Sequence, residues 1–126
     1  MISVFTLFYS IAIAACPHNI IVKTDNTYDG DTIQNVIIQM DFGISVTRTV
    51  RLLGIDAPEM RGVSDSEKRR AIKSRDRLRD IVSNCRTLTL SGSSTDSFGR
   101  VLGNIYCDGK DVSKLLLEGG FAKEYK

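Results

Sequence analysis

The stretch Ser45-Val46-Thr47-Arg48-Thr49-Val50-Arg51-Leu52-Leu53-Gly54-Ile55-Asp56-Ala57-Pro58-Glu59 decides how the chain folds. Ser45 to Ile55 reads as a strand, and the turn from Gly54 to Glu59 ends it, since glycine and proline interrupt extended pairing. Arg51 is flanked by Val50 and by Leu52-Leu53. A guanidinium at a strand position of this kind requires an anionic partner or a place at the rim of the sheet.

Upstream, two further strand-like runs precede this one, Ile20 to Lys23 and Thr32 to Met40. Tyr28-Asp29-Gly30-Asp31 separates them, and Asp41-Phe42-Gly43 closes the next hairpin. Three consecutive strands form a meander. Downstream, Ser64-Asp65-Ser66-Glu67 supplies a helix N-cap with its Glu three residues later. The helix runs to about Asn84, with an apolar stripe of Ala71, Leu78, Ile81, Val82 and Cys85. Lys68, Arg69, Arg70, Lys73, Arg75, Arg77 and Arg79 fill its other faces. Such a run reads either as a solvated surface or as a face for a nucleic-acid backbone. A turn-rich hairpin from Cys85 to Cys107 follows, then a second helix that begins near Asp111 or Ser113 and stops at Gly119-Gly120. The order β-β-β-α-β-β-α defines an α+β, mainly β chain: a five-stranded OB-type barrel with two packed helices.

With 126 residues, 42% of them hydrophobic, the chain has material for one domain, and its formal charge of +2 gives little field to attract a polyanion. Residues 1–15 read as an export signal: Ile2 to Ala15 is apolar or small, carries no charge, and is shorter than the about 20 residues that span a bilayer. Ala12-Ile13-Ala14 offers an A-x-A cleavage site, and Ile13-Ala14-Ala15-Cys16 resembles a bacterial lipobox, in which Cys16 becomes the lipidated first residue. Both readings predict an exported protein, secreted or periplasmic or held by a lipid anchor at Cys16. A buried first strand is the other reading of this segment. Three cysteines are odd in number. Cys85 and Cys107 are equidistant from residue 96 in the hairpin turn, so antiparallel pairing sets them opposite each other, ready to form a disulfide; two separately buried thiols are the alternative.

His18 is the only histidine, which excludes paired-histidine ribonuclease chemistry, and with the cysteines assigned as above no zinc site or Cys/His pair can be assembled. Oxygen and guanidinium groups remain. Asp29 and Asp31 share one turn, and Asp56 and Glu59 share another. Four carboxylates at one barrel rim call for a cation, and an all-oxygen set fits Ca²⁺ or Mg²⁺, Ca²⁺ the better. Each aspartate read singly is a turn cap. Arg51 and Arg100, the latter after Phe98-Gly99, add donors for phosphate oxygens. The combination suits phosphodiester hydrolysis.

Tyr28-Asp29-Gly30-Asp31-Thr32, Val50 to Glu59, and Phe98-Gly99-Arg100-Val101-Leu102-Gly103 resemble, in order, the motifs of the staphylococcal nuclease family. The similarity runs from about Ile21 to Tyr125 and includes Asp108-Gly109-Lys110-Asp111-Val112. The resemblance implies that residues 20–126 are an OB-fold nuclease domain, expected to be a monomer, with Ca²⁺-dependent cleavage of DNA and RNA to 3′-phosphate products. It implies Asp31, Asp56 and the Ala57 carbonyl as metal ligands, with Asp29 nearby through water. Glu59 matches the residue that acts as general base or orients the water, and Arg51 and Arg100 match the phosphate-gripping pair. Phe98 and Tyr125 match substrate-binding positions. Ala57 stands where threonine is frequent, and Ser97-Phe98 stand where the family has a basic residue and a tyrosine. The competing reading is a catalytically silent OB-fold module that binds nucleic acid or protein.

Overall fold

The computed structural model describes residues 17–125; the segment read as an export signal, and Cys16 with it, lie outside the described residues. In chain order the strands and helices are β1 (His18–Ile21), β2 (Thr32–Gln39), β3 (Ser45–Leu52), β4 (Ile55–Asp56), α1 (Asp65–Ser83), β5 (Leu88–Thr95), β6 (Val101–Cys107), β7 (Lys110–Asp111), α2 (Val112–Glu118) and β8 (Lys123–Glu124). The antiparallel order β3-β2-β1-β5-β6 closes on itself through a parallel pairing of β3 with β6, Val50 opposite Val101 and Leu52 opposite Gly103. This is the expected OB-type barrel, five strands closed with two helices packed on it.

Closure follows from residue size and periodicity. Ile33, Val36, Val50, Leu52, Leu90 and Ile105 point inward from the strands and are buried. Gly103 permits the tight approach of β6 to β5: a Cβ there would lie 2.7 Å from the Ser91 carbonyl oxygen. The β2 strand carries a bulge between Ile33 and Val36, where Asn35 adopts a φ of 52°, and the local bend wraps the strand around the core.

The helices form where the caps indicate. Ser64 Oγ accepts from the Glu67 N–H, and α1 buries Ala71, Leu78, Ile81 and Val82 against the barrel. The Asp111 side chain accepts from the Ser113 N–H, and α2 drives Val112 and Leu116 into one end of the core. Some boundaries differ from the sequence reading. The first strand occupies His18–Ile21 and ends before Lys23, because the chain turns into a 3₁₀ segment at Thr24–Asn26. The third ends at Leu52, where the chain turns at Gly54 with a φ of 79°. Ile55-Asp56 then pairs with Lys123-Glu124, a ladder too short to leave a periodic pattern.

Cys85 and Cys107 form a disulfide with Cα atoms 5.4 Å apart, tying the end of α1 to the end of β6. The pair closes a 22-residue separation, for which chain entropy implies about 3 kcal/mol of stabilisation. Replacing both cysteines by serine is expected to lower the unfolding free energy by about that amount, read from urea titrations under non-reducing conditions.

Candidate active site

The site is built where β2 begins and β3 ends. Register sets Thr32 opposite Arg51, so the Asp31 backbone meets the last residues of β3, and its carbonyl accepts from the Leu52 N–H at 2.8 Å. Asp31 is 5% exposed. Its Oδ2 accepts from the Ala57 N–H at 2.8 Å, and its Oδ1 accepts from the Thr32 hydroxyl at 3.0 Å. One carboxylate thus fastens the 54–59 turn to the start of β2.

The Arg51 guanidinium lies between two carboxylates, with Nη2 3.4 Å from Asp31 Oδ2 and 3.5 Å from Asp56 Oδ1. A buried carboxylate needs such a partner, because desolvation of a lone charge costs several kcal/mol. Asp29 Oδ1 accepts from the Asp31 N–H at 3.0 Å, forming an Asx-type turn. Burial, followed by repulsion from the Asp31 charge, pushes the Asp29 carboxyl up to about 7.

Helix α1 supports this loop from behind. A Cβ on Gly30 would fall 1.8 Å from Ser74 Oγ, so the loop rests directly on the helix. Ser74 is itself buried and donates to the Phe121 carbonyl at 2.8 Å. Arg79 Nε donates to Thr27 Oγ1 at 2.6 Å and its Nη2 to the Thr27 carbonyl at 3.3 Å. These contacts escaped the sequence reading. Ser74 was legible as a small polar residue on the apolar stripe, three after Ala71 and four before Leu78. Arg79 had no mark among so many basic residues.

The remaining candidates are distributed around this centre. Glu59 is exposed and lines a cavity of about 550 Å³ together with Asp56, Arg70, Lys73 and Lys123. Arg100 lies on the same face of the parallel β3–β6 pair as Arg51, since Leu102 is opposite Arg51 and side chains repeat every second residue. Its guanidinium is turned to Asp96, Nε to Oδ2 2.7 Å, and stands over the Phe98 ring at 5.6 Å. Asp96 is held below the usual carboxylate range: desolvation acts in the opposite sense, and hydrogen bonds from the Arg100 side chain and backbone and from the Phe98 N–H, with the Arg100 charge, together outweigh it. Phe98 is exposed, as is Tyr125, whose N–H donates to the Gly54 carbonyl at 3.1 Å beside the 54–59 turn. The structure brings Asp29, Asp31, Arg51, Asp56 and Ala57 together; Arg100 and Glu59 flank them without direct contact.

The donors suit a hard cation by their chemistry: Asp29, Asp31 and Asp56 offer carboxylate oxygens. Among the described residues, no three acidic, His or Cys side chains are arranged as a ready-made metal cage.

A closed five-stranded barrel with paired carboxylates and arginines at one rim is the architecture of an OB-fold protein with an acid–guanidinium site. Residues 49–126 match the family model described as staphylococcal nuclease homologue, and the chain belongs to that family. It is 33% identical over 105 residues, 81% of its own length, to the SPbeta prophage-derived endonuclease YokF of Bacillus subtilis (strain 168). The chain spans about a third of the length of that relative (33%).

Two outcomes test the site's construction. Gly30→Ala is expected to destabilise the fold by about 1–3 kcal/mol through the clash with Ser74, and Ser74→Gly in the same chain to recover part of the loss. For Asp29, the native carboxyl binds its proton more tightly than the unfolded one, so its contribution to stability falls as pH rises from about 4 to about 7. Asp29→Asn keeps the oxygen that accepts from Asp31. In chelator it should match the parent near pH 4 and melt at a higher temperature above pH 7, measured by circular dichroism.

Proposed function

We propose that this chain is a calcium-dependent phosphodiesterase that hydrolyses DNA and RNA to 3′-phosphate products. The observation that carries the reading is the Arg51 guanidinium between Asp31 and Asp56, at the rim where β2 and β3 open. Family membership and the activity of the Bacillus relative, an endonuclease, support it.

Asp31, Asp56 and the Ala57 carbonyl would hold Ca²⁺, with Asp29 beside them through water. The ion supplies Lewis-acid polarisation of a phosphoryl oxygen and neutralises developing charge. Arg51 binds a non-bridging phosphate oxygen with the N–H groups that now meet the carboxylates. Arg100 turns from Asp96 to the other side of the phosphate, where its charge stabilises the five-coordinate transition state and assists the leaving 5′-oxygen. Glu59, on the cavity wall, directs or deprotonates the attacking water. Phosphoryl transfer depends mainly on position and charge, so the single histidine of the chain is not required. Phe98 and Tyr125 offer exposed rings on which bases can stack.

The segment before β1 completes this reading. Its uncharged apolar run marks the chain for export, either released or held at a membrane by lipid on Cys16. A silent binding module is the second reading, favoured by the Arg100–Asp96 pair and by the ungathered cage among the described residues.

The two readings separate in a cleavage assay on single-stranded DNA and RNA with Ca²⁺, followed by chelator and analysis of product ends. The expected result is metal-dependent cleavage to 3′-phosphates that falls on the order of 100-fold or more in Glu59→Ala and in Arg100→Ala. Binding without cleavage assigns the silent module.

A further inference from the structure

The hairpin that joins β2 to β3 carries an apolar tip for which the barrel has no use. Met40, Phe42 and Ile44 are all exposed there, Phe42 to 97% of its full surface. The turn itself is unusual. Phe42 and Gly43 have φ values of 62° and 72°, and the Ile44 N–H donates to the Asp41 carbonyl at 3.2 Å. That is the geometry of a type I′ turn, whose first central position favours Asn, Asp or Gly because side chains strain at positive φ. A large aromatic ring here combines an unfavourable backbone with full exposure. At that exposure, packing among the described residues compensates neither.

The position of the tip identifies what can cover it. In the β1–β2 register Ile20 lies opposite Ile38, which continues to His18 opposite Met40, and the His18 ring nitrogen Nδ1 is 3.2 Å from the Gln39 carbonyl oxygen. The chain therefore enters the barrel beside the tip, directly from the uncharged run Ile2 to Ala15 and the lipobox cysteine Cys16. The candidate site is at the other end of the same strands. Seven residues separate Thr32 from Gln39, about 20 Å of strand.

We propose that the Met40–Ile44 tip inserts into the surface of a lipid bilayer, so that the barrel stands on the membrane with its acidic site facing outward. The proposal rests on the reading of the N-terminal segment as a membrane-directed signal. Among the described residues no helix is long and apolar enough to cross a membrane, and the tip provides contact without crossing. Asp41 is the charged residue in the tip, and it has the wrong sign for anionic headgroups. The contact is therefore apolar: it tolerates zwitterionic lipid and survives added salt.

The chain contains no tryptophan, so Phe42→Trp introduces a single reporter at the tip and Tyr125→Trp a single reporter at the site end. Full-length chains with Cys16 intact are mixed with phosphatidylcholine vesicles, separated by flotation, and read by emission and by quenching from brominated lipid. The expected result is flotation of both chains, a shift of the tip reporter to shorter wavelength with strong quenching, and a water-like, weakly quenched reporter at the site end. Failure to float overturns both the membrane reading and the proposal. Flotation with a water-like tip reporter overturns the tip contact alone and leaves anchoring in place. Equal quenching of the two reporters overturns the orientation. A blue shift of the tip reporter without vesicles, growing with protein concentration, assigns the tip to a second copy of the chain and likewise overturns the proposal. Phe42→Asn, which suits the turn, is expected to raise the melting temperature in solution and, in deuterium exchange on vesicles, to remove the protection of residues 40–44 seen in the parent.

Discussion

The buried carboxylate of Asp31 organises this end of the molecule. Its two oxygens receive the Ala57 N–H, the neighbouring Thr32 hydroxyl and the Arg51 guanidinium, so the end of β3 and the 54–59 turn both converge on one side chain at the start of β2. Burial first, and the charge of this carboxylate second, raise the proton affinity of Asp29. The structural linchpin and the proposed cation ligand are thus one residue.

Closure of the barrel explains how Arg51 and Arg100 come to share a face. The parallel β3–β6 pairing connects strands that no hairpin joins, and it aligns Arg51 with Leu102. Arg100, one residue before β6, then projects on the same side. Its ion pair with Asp96 fixes the turn and holds the guanidinium beside Phe98. The two arginines differ in readiness: Arg51 is enclosed by carboxylates, and Arg100 is held at the edge.

Much of this was legible in the chain. Strand alternation, the Ser64 and Asp111 caps and the glycine turns set the element order. The Cys85–Cys107 disulfide was legible too, but not its geometry: the bulged ladder sets Leu88 opposite Cys107, and Cys85 reaches it from the end of α1, before β5 begins. Arg51 announced itself by being charged within an apolar run. The supports behind the site were harder to see, because they depend on tertiary approach. That Gly30 touches Ser74, or that Thr27 accepts from Arg79, follows from how α1 lies across the barrel, which no local pattern encodes. The β4–β8 ladder has two residues in each strand, below the length at which alternation is detectable. The basic helix face reads first as solvent surface, and only the structure sets Arg70 and Lys73 on the cavity wall with Glu59.

The central proposal is that Asp31 and Asp56 share one Ca²⁺. Calorimetric titration of the protein with Ca²⁺ at neutral pH tests it directly, with the parent compared to Asp31→Asn and Asp56→Asn after each variant is shown to be folded. The account predicts a single saturable site in the parent and loss of measurable binding in both variants. Undiminished Ca²⁺ affinity in either variant, or no binding by the parent, would contradict it.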